Sequence, residues 1–202
     1  MSELNRRDVL RMLGVGMAAA TVSCTPDVTE KAHTSAQAAR DTAAATGTTV
    51  KKKFFTDHEH ATVSMLADMI IPRDDRSGSA SDAGVPEFMD YILTEYPDGQ
   101  NSMRGGLGWL DYECERRYEK RFVDCTEAQR KSLLDEIAFP KKAKPEMSQG
   151  VAFFNRFRDF TASGFFSSKM GTEDLRYLGN KVVQTWEGCP PAALNKLGVS
   201  YT

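Results

Sequence analysis

The sequence predicts an all-α protein, because three features of its pattern agree. After residue 54, apolar residues recur at the three- and four-residue spacing of amphipathic helices. Thr56–Glu59 and Thr126–Gln129 have the pattern of a capping box, which marks the beginning of a helix. No segment shows the alternation of apolar and polar residues that a half-buried strand requires. We therefore expect a single compact domain of five to six helices over residues 54–202.

The first two expected helices are separated by a polar loop. The first helix begins after Thr56 and ends before Pro72, which cannot continue it. The loop covers residues 73–84, and Pro86 then lies in the first turn of the second helix. The turn sequence Pro97-Asp98-Gly99 ends that helix.

Three longer helical patterns and a short one follow. The third helix is expected over residues 103–121, the fourth after Thr126, and the fifth over residues 151–161. A basic loop over residues 140–145 separates the fourth from the fifth. A last helical turn or two is expected between Leu175 and Trp186.

The first 23 residues have the features of an export signal. Arg6 and Arg7 precede a weakly apolar run, Met12–Val22, whose 11 residues fit a signal peptide and are too few to span a bilayer. An arginine pair at this position is typical of the twin-arginine route, which carries proteins that have already folded. We therefore predict a twin-arginine signal peptide over residues 1–23.

Cys24 is a candidate for lipid attachment. The preceding Thr21-Val22-Ser23 resembles the motif before the modified cysteine of bacterial lipoproteins, although Thr21 stands where leucine is usual. Two or three acyl chains would anchor a protein stably, because each buried CH₂ contributes about 0.8 kcal/mol. The alternative is simple cleavage within residues 18–23, which releases a soluble periplasmic protein.

Residues 24–53 are predicted to form the lipid-attachment cysteine and a flexible tether. The segment is rich in Thr, Ala and Ser, and it has no aromatic residue before Phe54. Such a composition buries too little apolar surface to offset the entropy lost on ordering. A flexible tether of this length would place the domain roughly 30 Å from the membrane.

The composition and motifs argue against a catalytic or nucleic-acid-binding role. The formal net charge is −2, whereas nucleic-acid binders are basic. The sequence lacks the glycine-rich dinucleotide motif, the haem-attachment motif and the nucleophile elbow. His58 and His60 are two residues apart on a helix and are expected to be exposed, so they cannot share a metal ion. We expect no catalytic residue, cofactor or metal site in this chain.

Two groups of acidic residues are candidate sites. The first group is Asp111, Glu113, Glu115 and Glu119. It is interleaved with arginines and lysines at helical spacing, which favours a solvated, ion-paired helix face. The second group, Asp74 and Asp75, could bind a cation, but two carboxylates alone predict a metal site only weakly.

Three cysteines remain after Cys24. Cys114 lies near the end of one expected helix and Cys125 just before the next, so an intrachain disulfide between them is one interpretation. Cys189 would then be free or would pair with another chain. The other interpretation is three unpaired cysteines, with Cys114 buried on an apolar stripe.

The aromatic residues near the fifth helix have two interpretations. They are Phe153, Phe154, Phe157, Phe160, Phe165 and Phe166. Helical spacing favours core packing for most of them. Phe153, Phe160, Phe165 and Phe166 together have more aromatic area than one amphipathic face needs, so a surplus among them would form an exposed patch and mark an interface.

Seven short segments follow one another between about residues 55 and 190, namely Leu66–Pro72, Ala83–Asp90, Gly106–Asp111, Phe122–Gln129, Gly164–Ser168 with Gly171, Leu175–Gly179 and Gly188–Pro190. In this order they resemble the gluconate 2-dehydrogenase subunit 3 family. Each is weak alone, and their order beside a twin-arginine leader makes the resemblance specific. Candidate partner contacts within or beside them are Phe165, Phe166, Tyr177, Trp186 and Cys189.

The resemblance implies a non-catalytic partner of a flavoprotein. The large subunit would contain FAD, belong to the glucose-methanol-choline oxidoreductase class and oxidise a sugar or polyol. A third subunit, a c-type cytochrome with haem, would accept the electrons. The small subunit would bind the folded large subunit, take it through the twin-arginine translocase and, through Cys24, hold it at the membrane of the periplasm.

Two rival functions stay open at this point. One is a free-standing periplasmic lipoprotein that binds a ligand or another protein without an oxidoreductase partner. The other is an enzyme that uses Asp74 and Asp75 with a metal ion.

Overall fold

The chain is all-α over the residues that the structure, a computed structural model, describes, namely 26–177, 184–185 and 188–201. The helices are α1 (Pro26–Thr46), α2 (Asp57–Ile70), α3 (Val85–Glu95), α4 (Gln100–Tyr118), α5 (Glu127–Ile137), α6 (Ser148–Phe166), α7 (Lys169–Asp174) and α8 (Pro191–Leu197). Short 3-10 helices precede α4, α5 and α6. The predicted fold class is confirmed. The predictions for Arg6, Arg7, Cys24 and Trp186 lie outside the described residues.

The two predicted capping boxes begin α2 and α5. The Thr56 hydroxyl accepts from the Glu59 backbone N–H at 3.2 Å, and the Glu59 carboxylate accepts from the Thr56 N–H at 2.8 Å. Thr126 and Gln129 form the same reciprocal pair at α5. Each box satisfies two backbone donors that a helix N-terminus otherwise leaves unpaired.

The core is formed where α2, α3, α4 and α6 pack on one another, with α5 closing one side. Its largest fully buried side chains include Phe88, Phe122, Phe157, Phe165 and Leu66. Burying an aromatic side chain of this size contributes roughly 2–3 kcal/mol relative to leaving it exposed. Of the six aromatic residues near the fifth predicted helix, the core buries four, namely Phe153, Phe154, Phe157 and Phe165.

Two glycines allow α4 and α6 to approach closely. A Cβ atom at Gly106 of α4 would lie 1.8 Å from the Phe153 ring of α6. A Cβ atom at Gly150 of α6 would lie 2.2 Å from the Trp109 ring of α4. Each helix therefore receives an aromatic ring of the other where it has no side chain of its own.

The prediction of a flexible tether is wrong for residues 26–46, which form α1. This helix packs along α3, with Ala32, Ala36 and Ala43 buried on its inner face. His33 stacks on the Phe88 ring at a centroid distance of 4.7 Å, and Arg40 donates to the Asp82 carbonyl at 2.7 Å. Small residues let the helix approach α3, so large aliphatic side chains are not needed.

Asp90 of α3 holds the connection between α1 and α2. Its buried carboxylate accepts the backbone N–H groups of Lys53, Phe54 and Phe55 at 2.8 to 3.0 Å. These hydrogen bonds fix Phe54 and Phe55 in the core. The segment that follows α1 is thus an ordered part of the domain as well.

In contrast to α1, the described residues beyond α7 are mostly exposed. Arg176 has a left-handed backbone with φ of 54°, and Leu175–Tyr177 are not helical, in contrast to the predicted helical turns from Leu175. The rest of that predicted segment lies mostly outside the described residues. No residue of α8 is buried.

Candidate partner-binding surface

Glu113 of the first acidic group belongs to an ion-pair network with neighbouring arginines, as the spacing predicts, but it is buried rather than solvated. Glu113 bonds Arg116 at 2.7 Å and Arg117 at 3.1 Å, and Arg117 also reaches Glu136. The hydrogen bond from Arg116, with that from Arg117, lowers the pKa of Glu113. The carboxylates of Glu113 and Glu136 both have a lowered pKa, stay charged at neutral pH and are paired with guanidinium groups.

The histidines expected to be exposed are both partly buried and paired with carboxylates. His58 Nε2 lies 2.5 Å from Asp111 of α4, and His60 Nε2 lies 3.3 Å from Glu87 of α3. These pairs tie the first turn of α2 to two neighbouring helices. Sequence spacing missed them because the partners are 53 and 27 residues away along the chain.

Asp74 of the second acidic group stabilises a turn in the loop before α3. Asp74 accepts the backbone N–H groups of Ser77 and Arg76, both at 2.8 Å, and these bonds lower the pKa of Asp74. Such a turn explains the aspartate without a cation. Over the described ranges, no three His, Cys, Asp or Glu side chains lie close enough together to hold a metal ion.

The two cysteines of the predicted bridge are neighbours in the core, and both are free thiols. The Cys114 thiol interacts with that of Cys125, and both side chains are buried. Burial, with the hydrogen bond to Cys125, raises the pKa of Cys114 to about 12. The disulfide itself stays a prediction. Cys189 is exposed.

The predicted partner contacts divide by burial. Phe165 is 1% exposed and lies in the core, so it cannot touch a partner directly, and we remove it from the predicted surface. Its neighbour Phe166 is 40% exposed, and Tyr177 is 65% exposed. Phe166, Tyr177 and Cys189 are thus accessible, and their contact with a partner stays a prediction.

An apolar cleft, which we call the α4–α6 cleft, lies between those two helices and the end of α3. Its volume is about 520 Å³. It is lined by Leu93, Gly99, Ser102, Met103, Gly105, Gly106, Trp109, Gln149, Ala152, Phe153, Arg156, Phe157 and Phe160. A Cβ atom at Gly105 would meet nothing within 4 Å, so helix backbone is open to an incoming side chain there.

A second apolar feature is the C-terminal arm, which we define as the described residues from Leu175 onward. Its exposed large side chains are Leu175, Tyr177, Leu197, Val199 and Tyr201. The arm folds on itself, because the Tyr201 hydroxyl accepts from the Cys189 N–H at 2.5 Å. Exposed large apolar side chains mark an interaction site where they form one contiguous patch.

These features define a small all-α protein with an apolar cleft and exposed apolar side chains near its C-terminus. The cleft and the arm can accept apolar side chains of another protein, and the ionisable groups described above are engaged in internal pairs and caps. Among the described residues, no helix has the length and apolar character to cross a membrane.

The chain belongs to the family described as gluconate 2-dehydrogenase subunit 3, whose model matches residues 57–188, well over half of the chain. The resemblance found from the short sequence segments is thereby confirmed. By that description, members are subunits of a dehydrogenase complex. No curated protein and no solved structure matches the chain.

Proposed function

We propose that this chain is the non-catalytic small subunit of a periplasmic, FAD-dependent sugar or polyol dehydrogenase. Its catalytic partner would be a large flavoprotein of the glucose-methanol-choline class, and a c-type cytochrome would accept the electrons. The small subunit binds the folded large subunit, leads it through the twin-arginine translocase and anchors it by lipid on Cys24. Family membership and the arginine pair support this role.

The observation that carries the binding role is apolar surface left exposed beside a complete core. Leu197 is 73% exposed on α8, while side chains of similar size in the body are fully buried. Burial contributes about 25 cal/mol per Å² of apolar surface, so covering the arm and the α4–α6 cleft would favour association. A large folded partner provides a surface of the required extent.

Co-purification tests the partnership. A tagged full-length chain should bring down a large flavoprotein with bound FAD from the membrane or periplasmic fraction. Recovery of the chain alone, as a stable monomer, would contradict the role and favour a free-standing lipoprotein.

Two matched substitutions on α4 test the cleft. Gly105→Leu projects into the cleft, whereas Gly108→Leu projects from the same helix without lining it, and neither position has an atom within 4 Å of its Cβ. We expect Gly105→Leu to weaken recovery of the flavoprotein at least tenfold and Gly108→Leu to leave it unchanged. Equal recovery with both variants would remove the cleft from the interface.

The arginine pair is tested by changing it without changing its charge. Arg6→Lys with Arg7→Lys should keep both subunits in the cytoplasm, because the translocase recognises the arginine pair. The complex should still form there, which separates export from binding. Normal export of the double variant would contradict the twin-arginine route.

A further inference from the structure

The connection between α4 and α5 turns back along α4. Glu119 has a left-handed backbone with φ of 57°, which ends α4 and reverses the chain. The Phe122 N–H then donates to the Asp111 carboxylate at 3.0 Å. Asp111 lies one helical turn before Cys114, so this hydrogen bond brings residues 122–125 beside the turn that contains Cys114.

The backbone around Cys125 is held by several hydrogen bonds. Its N–H donates to the carbonyls of Arg121 and Phe122, and its own carbonyl accepts from Arg130 Nη1 at 2.5 Å. Its thiol lies 3.9 Å from the Lys120 carbonyl. Cys125 is therefore fixed at the end of the loop, facing the core rather than solvent.

Both thiols lie inside the protein. Cys114 is fully buried and Cys125 nearly so, and each belongs to the same apolar cluster. The 3-10 helix Phe122–Asp124, directly before Cys125, packs against α4, the helix that contains Cys114. Arg116 and Arg117 beside Cys114 are engaged by Glu113, and the described residues bring no third metal-ligating group to the thiols.

We propose that Cys114 and Cys125 form a disulfide bond that closes the α4–α5 connection after export. The proposal depends on the proposed function only for the oxidising compartment, where such bonds persist. It adds a covalent modification to the interior of the subunit, away from the α4–α6 cleft.

The oxidant is a disulfide, either of a thiol-disulfide oxidoreductase or of a small molecule. The Cys125 thiolate attacks it, a mixed disulfide forms, and one thiol leaves. The Cys114 thiolate then attacks the Cys125 sulfur, the Cys114–Cys125 bond forms, and the second thiol leaves. The pair loses two electrons and two protons, and one oxidant disulfide becomes two thiols.

The positions of the two residues determine which thiol reacts first. Cys125 lies in the connection between α4 and α5, so opening of that connection would expose it without unfolding a helix, whereas Cys114 lies within α4. A chain that folds before export passes through the membrane with both thiols reduced. Oxidation then requires opening of residues 119–125 and is slow, because buried thiols are poor nucleophiles.

Peptide mapping of the exported full chain tests the bond. The protein is denatured, alkylated without reductant and digested with trypsin. We expect residues 105–116 and 122–130 as one linked species, two hydrogens lighter than the two peptides. Reduction should free both peptides and lower the melting temperature by about 5–10 °C. Alkylation of both Cys114 and Cys125 without reductant would overturn the proposal.

A second arm separates this proposal from the export proposal. The folded chain purified from the cytoplasm is incubated with oxidised glutathione, and the same linked peptides should form within hours. A stable glutathione adduct on Cys125 without the linked species would overturn the proposal even if export is normal. Cys125→Ala should lose the effect of reductant on the melting temperature, and Cys189→Ala should keep it.

Discussion

The two ends of the described chain differ in a way that their compositions do not suggest. The N-terminal helix α1 has few large apolar residues, yet it packs along α3 with Ala32, Ala36 and Ala43 buried. The C-terminal arm has Leu, Val and Tyr side chains, yet these are exposed. Burial here depends on whether the rest of the domain offers a matching surface, rather than on how apolar the segment is.

This difference in burial predicts separate roles for the two ends. The inner face of α1 is already covered by the same chain, because His33, Arg40 and the buried alanines all contact the body. The arm has no buried residue in α8, and its apolar side chains gain most by contact with a second protein. We expect changes in α1 to alter stability and changes in the arm to alter assembly.

The largest expected effect is at Asp90, which fastens the segment after α1 to the body. Asp90→Ala leaves three backbone donors without an acceptor, two of them buried, and should cost about 4 kcal/mol of unfolding free energy. Asp135→Ala, at an exposed site on α5, should change it by less than about 0.5 kcal/mol. Urea unfolding measures both. A loss below about 1 kcal/mol at Asp90 would show that the N-terminal segment is only loosely attached.

The next effect compares the two ends directly. Ala32→Asp places a carboxylate at a fully buried position of α1 and should cost about 2–3 kcal/mol. Leu197→Asp in the arm should cost less than about 0.5 kcal/mol and should instead reduce recovery of the flavoprotein. Urea unfolding, with hydrogen exchange of the α1 amides, gives the first quantity and co-purification the second. The comparison fails if the two variants are equally destabilised.

A smaller effect tests the packing of α4 against α6 in the body. Like the docking of α1 on α3, this packing depends on small residues that allow two helices to approach closely. Gly106→Ala should cost about 1–3 kcal/mol, because its methyl group collides with Phe153. Gly105→Ala has open space and should stabilise α4 by about 0.5–1 kcal/mol. Thermal unfolding of the pair should therefore give shifts of opposite sign. Shifts of the same sign would mean that α4 and α6 are not closely packed.

The smallest effect is the pH dependence of α1 docking. Burial lowers the pKa of His33 below its ordinary value of about 6.5, so the folded state prefers the neutral ring. The stabilisation is therefore full above that value and is lost as the pH falls through the lower pKa of the folded state. The loss is small because the ring is only half-buried.

The measurement uses a neutral replacement as its control. The melting temperature of the native chain between pH 7.5 and pH 5 should fall more than that of His33→Gln, which cannot titrate. An identical fall in both proteins would show that protonation of His33 does not oppose docking.

The body was predictable from the sequence because its signals are local. The capping threonines at 56 and 126 and the apolar spacing of the long helices depend only on neighbouring residues. The docking of α1 was not predictable, since it depends on a surface of α3 more than 40 residues away. Partial burial of His58 and His60 was missed for the same reason.

The candidate site shows the same limit at two adjacent residues. Phe165 and Phe166 were both expected on an exposed patch, but Phe165 faces the core and Phe166 solvent. The chain turns at Ser167, and Gly171 of α7 comes so close to the Phe165 carbonyl that a Cβ would lie 2.0 Å from it. The periodicity of apolar residues predicts which face of a helix is buried. It does not predict where the next helix covers a residue at the helix end.

If Cys24 carries lipid, the order of α1 would also limit how far the assembly can move from the membrane. A single residue separates Cys24 from the first residue of a 21-residue helix that lies against the body. A long flexible tether would let a redox partner move over tens of ångströms, whereas an ordered α1 would shorten the freely moving segment. Electron transfer weakens steeply with separation, so this arrangement would keep a flavin-containing partner close to an acceptor at the bilayer.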